Sequence, residues 1–391
     1  MSATPHKSDN LLRSRDAHAR VTFVELFFDL VFVFAVTQLS HTLLEHLTLI
    51  GALQTLFLLL AVWWVWMYTC WFTNWIDPEK PAVRMMMFAL MLAGLVLSAS
   101  IPHAFEQEGL VFAGAYAFMQ VARTVFLLRA LRGHDHANYL NFRRITCWLV
   151  GSALFWIAGG LWHDGMRVAL WVVALAIEFA GPLAYFYVPG LGHSTTADWK
   201  VDGAHMAERC ALFVIIALGE SILVTGATAA RLPATSGNLI AFVVAFLGSV
   251  AMWWIYFNIG AERGSRHFAS AADVGRVARN VYTYFHVPIV AGIVVCAVAD
   301  EITIAHADGP ADLTLALVLL GGPALYLGGN VFFKRASARN YPLSHLVGLG
   351  LLLLLVPAAR YVSTLTLSSA TTAVLIIVAV WETRSFSRGN R

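Results

Sequence analysis

The chain has 391 residues, of which 59% are apolar or aromatic and only 13% are charged, and its formal net charge is +3. Soluble domains carry about 25% charged residues, and the mean hydropathy here is +0.70, so the composition excludes an ordinary soluble protein. Because the apolar residues run along nearly the whole length, most of the chain is expected to lie in lipid. The sequence has no run of Lys and Arg with interleaved aromatics, so no nucleic-acid partner is expected.

Twelve apolar segments are long enough to predict membrane-spanning helices. The polar segment 1–20 lacks the apolar stretch of a signal peptide, so the first helix is expected to direct insertion. The predicted fold is therefore an all-α polytopic membrane protein with about twelve transmembrane helices. Their predicted spans are 21–41, 49–70, 83–101, 109–130, 143–161, 168–187, 205–227, 239–258, 280–299, 313–333, 343–361 and 365–383.

The Lys and Arg residues gather on one side of these spans, as they do on the cytoplasmic side of membrane proteins. With the N-terminus inside, 22 of the 26 fall in cytoplasmic segments, and Arg123 falls within the fourth span. Both termini are therefore predicted to be cytoplasmic. The acidic segment from Asp300 to Asp312 is expected in an outside loop. No lysine, including Lys334, falls within a predicted span, so a retinal Schiff base is not expected.

The two halves of the chain share short motifs in the same order. Phe28-Asp29 corresponds to Gly219-Glu220, and Trp63-Trp64-Val65-Trp66 corresponds to Trp253-Trp254-Ile255-Tyr256 at nearly the same offset. These matches predict a polar cytoplasmic tail at 1–20, a first six-helix repeat at 21–197 and a second at 198–391 that ends in a short basic tail. Even span numbers make the repeats parallel. Chance recurrence of Trp and Gly pairs is the alternative.

Polar side chains inside hydrocarbon cost about 2.5–3.5 kcal/mol each on insertion scales, so the few in the spans are the candidate functional residues. Glu25 and Asp29 are one turn apart on one helical face, which suits a proton or cation path; alternatively Glu25 lies at headgroup level. Glu220 has long apolar flanks and is expected to need a buried partner, with Arg123 and Arg279 as candidates.

Two further polar groups lie on the seventh and ninth spans. His205 and Glu208 share a face, but no third metal ligand is nearby in the sequence, so a hydrogen-bond cluster is expected. Arg279, Tyr282 and His286 form a stripe that suits either proton relay or interhelical hydrogen bonding. The predicted path comprises Asp29, Glu220, Glu25 and His286. The predicted supporting network comprises Arg123, Glu178, His205, Glu208, Arg209, Arg279 and Tyr282, and no catalytic residue, metal site or cofactor is assigned.

Several separate motifs resemble those of the bacterial low temperature requirement protein A family. The resemblance covers nearly the whole chain and implies a polytopic protein of the bacterial cytoplasmic (inner) membrane, linked by name to growth in the cold. It implies no particular molecular activity. The motifs are Val24-Glu25-Leu26-Phe27-Phe28-Asp29-Leu30-Val31-Phe32-Val33-Phe34-Ala35-Val36, Trp71-x-x-Asn74-x-x-Asp77, His205-x-x-Glu208-Arg209, Ile216-Ala217-Leu218-Gly219-Glu220 and Tyr282-x-Tyr284-x-His286.

A second resemblance is confined to the first helix. Phe28-Asp29 and the apolar run after it are similar to the Phe-Ser-Asp motif of the lysosomal and bacterial potassium-channel family built from six-helix units, although Phe28 replaces the Ser and Gly219 precedes Glu220 in the second half. Together these observations favour a channel or transporter for a small cation or proton, with membrane lipids as partners and a homodimer left open.

Two other functions stay open. One is an intramembrane binding protein or enzyme for a lipid, quinone or other hydrophobic small molecule, with His205, Glu208 and His286 as its chemical groups. The other is a scaffold in which the buried polar residues only fix helix packing.

Overall fold

The computed structural model describes residues 10–13, 20–199, 201–233, 235–258, 273–338 and 341–389. Over these ranges the regular secondary structure is helical, and the only β-type pairs are three isolated bridges. Most of the predicted tail at 1–20 and residues 259–272 of a predicted loop lie outside the described residues.

The described residues form twelve helices that we number in chain order. Eleven of them are long and apolar enough to cross a membrane, which supports the prediction of a polytopic membrane protein. The helices are α1 Phe23–Glu45, α2 Leu49–Trp75, α3 Pro81–Ala99, α4 Gly109–Leu131, α5 His136–Leu161, α6 Asp164–Leu183, α7 Gly203–Arg231, α8 Ser236–Tyr256, α9 Val274–Ala305, α10 Leu313–Ala338, α11 Leu343–Leu355 and α12 Thr364–Gly389.

Helix α11 is shorter than the predicted span of 343–361. It has 13 residues, which at 1.5 Å per residue makes it about 20 Å long. The helix ends two residues before Pro357, since a proline ring excludes the helical conformation of the residue before it and removes a backbone N–H. A short 3₁₀ turn at Ala359–Tyr361 follows.

Two charged residues expected outside the spans lie within helices. Helix α9 begins at Val274 and continues to Ala305, so the predicted start of a loop at Asp300 is wrong. Lys334 lies inside α10, where its Nζ donates to the Glu382 carboxylate at 2.7 Å and to the Ile255 carbonyl at 2.8 Å. A hydropathy scale places lysine in water, but here the ammonium group of Lys334 donates to a carboxylate and a carbonyl that are distant in the sequence.

The contacts divide the chain into two compact units, which we describe separately. Unit 1 contains Met1–Ala35, Ala61–Met206 and Ala272–Arg276. Within it, α4 packs against α5, and α5 packs against α6. An aromatic cluster fills the centre of these helices, with ring centroids 4.4 Å apart for Tyr116 and Trp156 and 5.4 Å apart for Trp156 and Trp171.

Unit 2 contains Val36–Leu60, Ala207–Ala271 and Val277–Arg391. Its most intimate helix pair is α9 with α10, where glycines allow the two backbones to touch. A Cβ atom built on Gly292 would lie 2.5 Å from the Tyr326 amide nitrogen, and one on Gly329 would lie 2.8 Å from the Ile289 amide nitrogen. The hydrophobic effect contributes little to the association of helices in lipid. The close packing that small residues allow stabilises such crossings instead.

The neighbouring glycines of α10 provide a matched test of this contact. A Cβ atom on Gly328 would have nothing within 4 Å, whereas one on Gly329 would overlap α9. We expect Gly329→Ala to lower the free energy of unfolding by about 1–3 kcal/mol, the usual range for overpacking. Gly328→Ala should be neutral or stabilising by up to about 1 kcal/mol. Thermal unfolding of both variants in lipid nanodiscs checks this, and equal melting temperatures would contradict the close contact.

Candidate functional site

The buried carboxylate of Glu25 is the centre of a polar cluster in unit 1. Its Oε2 atom accepts hydrogen bonds from the Thr22 amide at 2.8 Å and the Thr22 hydroxyl at 3.0 Å, and it pairs with Arg13 at 3.3 Å. Its Oε1 atom lies 2.8 Å from Nε2 of His205. Glu25 and His205 are both fully buried, so the cluster holds an acid and an imidazole together away from water.

The protonated nitrogen of His205 can be inferred from its neighbours. The Asn74 side chain accepts from the Asp202 amide at 2.7 Å and donates to the Asp202 carbonyl at 3.0 Å, which fixes the orientation of its amide. The same Nδ2 group donates to Nδ1 of His205 at 3.2 Å. Because Nδ1 accepts, the neutral ring carries its proton on Nε2 and donates to Glu25.

Asp29 lies one turn after Glu25 on the same face of α1. It is fully buried, and its Oδ1 atom accepts a hydrogen bond of 2.8 Å from the indole nitrogen of Trp66 on α2. The first unit therefore buries two carboxylates one helical turn apart. Two carboxylates this close repel each other unless a proton or a cation neutralises one of them.

Arg123 and Glu178 belong to a second network in unit 1, joined by Gln120. Arg123 donates to the Thr69 hydroxyl at 2.8 Å, the Val65 carbonyl at 3.2 Å and the side-chain oxygen of Gln120. Gln120 in turn donates to Glu178 at 2.5 Å. The Glu178 carboxylate also accepts from three other side chains, namely Tyr116, Ser152 and Trp156. These four donors satisfy Glu178 fully, which suits a structural role.

His286 is the centre of the polar stripe on α9, in unit 2. Its Nδ1 atom lies 3.0 Å from the Val281 carbonyl oxygen, which only accepts, so Nδ1 carries the proton. Its Nε2 atom therefore accepts from the Tyr256 hydroxyl at 2.8 Å. The Tyr282 ring stacks on the imidazole with centroids 5.3 Å apart. This part of α9 is a π-helix at Ala278–Tyr284, a form common at functional sites.

The remaining predicted residues of unit 2 occupy different environments. Glu220 is buried, and the Thr37 hydroxyl hydrogen-bonds to its carboxylate. Arg209 is fully buried, whereas Glu208 is exposed. Arg279 donates from Nε to the side-chain oxygen of Asn280 at 3.0 Å.

The sequence interpretation missed several partners because they are neutral. Asn74 stood in a family motif without a role, and Gln120 was not considered. Trp66 and Tyr256 end the two corresponding aromatic motifs, and each donates to a buried candidate residue. That repeated position was the signal that could have identified them. Among the described residues, no group of three or more His, Cys, Asp or Glu side chains is arranged to hold a metal ion.

The Glu25–His205 contact can be measured with a double-mutant cycle. We expect Glu25→Gln and His205→Gln to lower the free energy of unfolding non-additively, with a coupling energy of about 1–3 kcal/mol. Each single change leaves the other side chain buried without this contact. Denaturant unfolding in detergent provides the measurement. Glu106 is the control, since it is an exposed acid bound to His103; Glu25→Gln with Glu106→Gln should be additive within about 0.5 kcal/mol. Additivity in both cycles would contradict the contact.

Comparisons with known proteins agree with this membrane architecture. The profile of the family described as bacterial low temperature requirement A protein (LtrA) matches residues 20–380. A protein of Rhizobium meliloti (strain 1021), named uncharacterized protein RA0937, is 41% identical over 372 residues, which is 95% of this chain and 91% of that protein. No solved structure matches the chain. The match to nearly the whole chain shows that the protein belongs to the bacterial LtrA family and is a multi-pass membrane protein.

Proposed function

We propose that this LtrA-family protein transports a small cation or a proton across the membrane, as a channel or a transporter. One observation carries the proposal: α1 places two fully buried carboxylates, Glu25 and Asp29, one turn apart. Ionisable residues at membrane depth are costly and mark ion or proton pathways in many membrane proteins.

The contacts of the two carboxylates support a site at which a positive charge exchanges. Asp29 accepts a hydrogen bond from the indole N–H of Trp66, which is a neutral donor. Glu25 is bound by the guanidinium of Arg13 and by the imidazole of His205. Arg13 already pairs with Glu25 at 3.3 Å, so a proton or cation on Asp29 would neutralise the second carboxylate, and its release would restore a negative charge at membrane depth.

For unit 2 we propose Glu220 and His286 as the corresponding groups. Glu220 is 3% exposed and hydrogen-bonds with Thr37. His286 accepts from Tyr256, whose hydroxyl can pass a proton to the ring and take one from elsewhere. Glu178 is assigned to the supporting network because its four donors join it to Arg123 through Gln120, and no second acid lies one turn from it on α6.

The proposal includes a membrane topology. The excess of Lys and Arg in alternate loops favours cytoplasmic termini in the bacterial inner membrane. The corresponding motifs favour parallel repeats at 21–197 and 198–391. The similar use of Trp66 and Tyr256, each donating to a buried polar group, supports that duplication.

Ion flux into proteoliposomes tests the proposal. Sodium, potassium and proton gradients are imposed in turn, and uptake is followed with ion-sensitive dyes. We expect Asp29→Asn, Glu25→Gln and Glu220→Gln each to lower the rate by about tenfold or more, since each removes an intramembrane negative charge. The amide replacements keep the size and an acceptor oxygen, so the proteins should still fold.

The control is Glu106→Gln, which removes a carboxylate whose side chain is 58% exposed. It should leave the flux unchanged. If wild-type protein carries none of the three ions, or if the control slows flux as much as Asp29→Asn does, the transport proposal is wrong.

A cavity in unit 2 favours a second function, the binding of a lipid or another hydrophobic molecule. It has a volume of about 650 Å³ and lies along α10 and α11, with a lining that is apolar except for Asp312 and Arg360. Pockets for small molecules usually have volumes of about 300–1,000 Å³ and a largely apolar lining. An acyl chain would fit the apolar part, and the Arg360 guanidinium would suit an anionic headgroup.

Filling the cavity distinguishes lipid binding from transport. Ala316 lines the cavity and is 6% exposed, so Ala316→Trp should displace a bound lipid or quinone detected by native mass spectrometry. Leu325→Trp is the control, because Leu325 is exposed and does not line the cavity. Equal retention of the molecule by both variants, or none in the wild type, would count against this second function.

A further inference from the structure

Asp300, a further acid within a long apolar helix, lines a small cavity in unit 2. Residues of four helices, α8, α9, α10 and α12, line this cavity, and its volume is about 20 Å³. A cavity needs about 10–15 Å³ on this measure to hold one water molecule. The space therefore fits a single water-sized occupant.

Three side chains supply the polar lining that matters. They are the carboxylate of Asp300 on α9 and the hydroxyls of Ser368 and Thr372 on α12. Within the described part of the chain, none of these three groups makes a hydrogen bond through its side chain. The neighbouring Thr371 hydroxyl, by contrast, donates to the Ser368 carbonyl at 2.9 Å. Ser368 and Thr372 are buried, and Asp300 is half-buried. Buried polar groups without partners cost about 2–7 kcal/mol each, so the arrangement favours an occupant that binds all three.

The charges around the cavity favour a cation as that occupant. The titratable residues of its lining are Asp300 and Cys296, both on α9. The lining residues from α8, α10 and α12 include neither an acid nor a base. An ionised Asp300 therefore has no counter-charge in the lining, and an ion that carries one positive charge balances it.

The type of ligand atom narrows the choice of cation. A carboxylate and two hydroxyls offer only oxygen, which suits hard cations and not the softer metals that bind imidazole or thiolate. Calcium takes six to eight oxygen ligands, often from several carboxylates, and magnesium requires octahedral geometry and keeps its waters. A single carboxylate in so small a space matches neither. A monovalent alkali cation fits both the charge and the volume.

We propose that Asp300, Ser368 and Thr372 form a binding site for one sodium ion within the membrane-embedded part of unit 2. The carboxylate neutralises the ion, and the two hydroxyls supply further oxygen ligands. None of Glu25, Asp29, Glu220 and His286 lines this cavity, and the site does not require the transport function to be correct. It links α9 to α12 through the bound ion.

Equilibrium binding of radiolabelled sodium to the full-length protein in lipid nanodiscs tests the site. The wild type should bind sodium saturably at constant ionic strength, and Asp300→Asn should lose one ion per chain. Ser368→Ala and Thr372→Val should each weaken that binding by about tenfold, as expected for losing one ligand to a charged group. Asp308→Asn is the matched control, since Asp308 is exposed just beyond α9, and it should bind as the wild type does.

A second variant tests the cavity without removing the acid. A Cβ atom on Gly248 would lie 3.3 Å from the Thr372 hydroxyl oxygen, so Gly248→Ala should reduce the room for the ion and weaken binding while Asp300 remains. Circular dichroism and gel filtration verify that each variant is folded. A comparison made in the Asp29→Asn background distinguishes this site from the proposed transport path. Adding Asp300→Asn to Asp29→Asn should still remove one bound sodium ion per chain.

The outcomes that would overturn the site are specific. They are no saturable sodium binding by the wild type, unchanged binding in folded Asp300→Asn, or an equal loss in Asp308→Asn. Binding of rubidium in place of sodium would overturn the assignment to sodium. Absence of ion flux with sodium binding intact would contradict only the transport proposal.

Discussion

The constraint that governs this structure is that hydrocarbon offers no hydrogen bonds, so each buried polar group must find its partners within the protein. Arg167 shows how fully this is met, since its guanidinium donates to the carbonyls of Ala104, Glu106, Gly159 and Trp162. These carbonyls lie at or near helix ends, where no intrahelical donor is available. One cation thus replaces the water that would satisfy them in a soluble protein.

The buried charged residues of the protein are of two kinds. Glu178 and Lys334 have complete sets of partners, and moving a proton onto or off either would break several hydrogen bonds at once. Glu25 also has four donors, namely Arg13, His205 and the amide and hydroxyl of Thr22, but it lies one turn from the buried carboxylate of Asp29. Proximity to a second buried carboxylate therefore separates Glu25 and Asp29 from Glu178 and Lys334, although all four are hidden from water.

The same constraint explains what the sequence could and could not predict. Hydropathy predicted the long apolar helices because lipid exposure fixes their composition. Lys334 was misplaced because hydropathy scores a charge without knowing its partners, and Asp300 was misplaced because a charge does not show that the helix continues past it. Gln120, Trp66 and Tyr256 were missed because neutral donors carry no penalty that marks them in a sequence. The three-dimensional positions of their acceptors were needed to show that each bonds to a buried acid, cation or imidazole.

The short helix α11 has a consequence for the lipid around it. A helix of about 20 Å cannot match a hydrocarbon core of about 30 Å, so if it spans the membrane the bilayer must thin beside it or polar backbone must enter the acyl region. The energetic cost of such hydrophobic mismatch grows with the thickness of the bilayer. The surroundings of α11 are then sensitive to acyl-chain length and order, which vary with temperature, and this is a physical route by which the lipid phase could influence the protein.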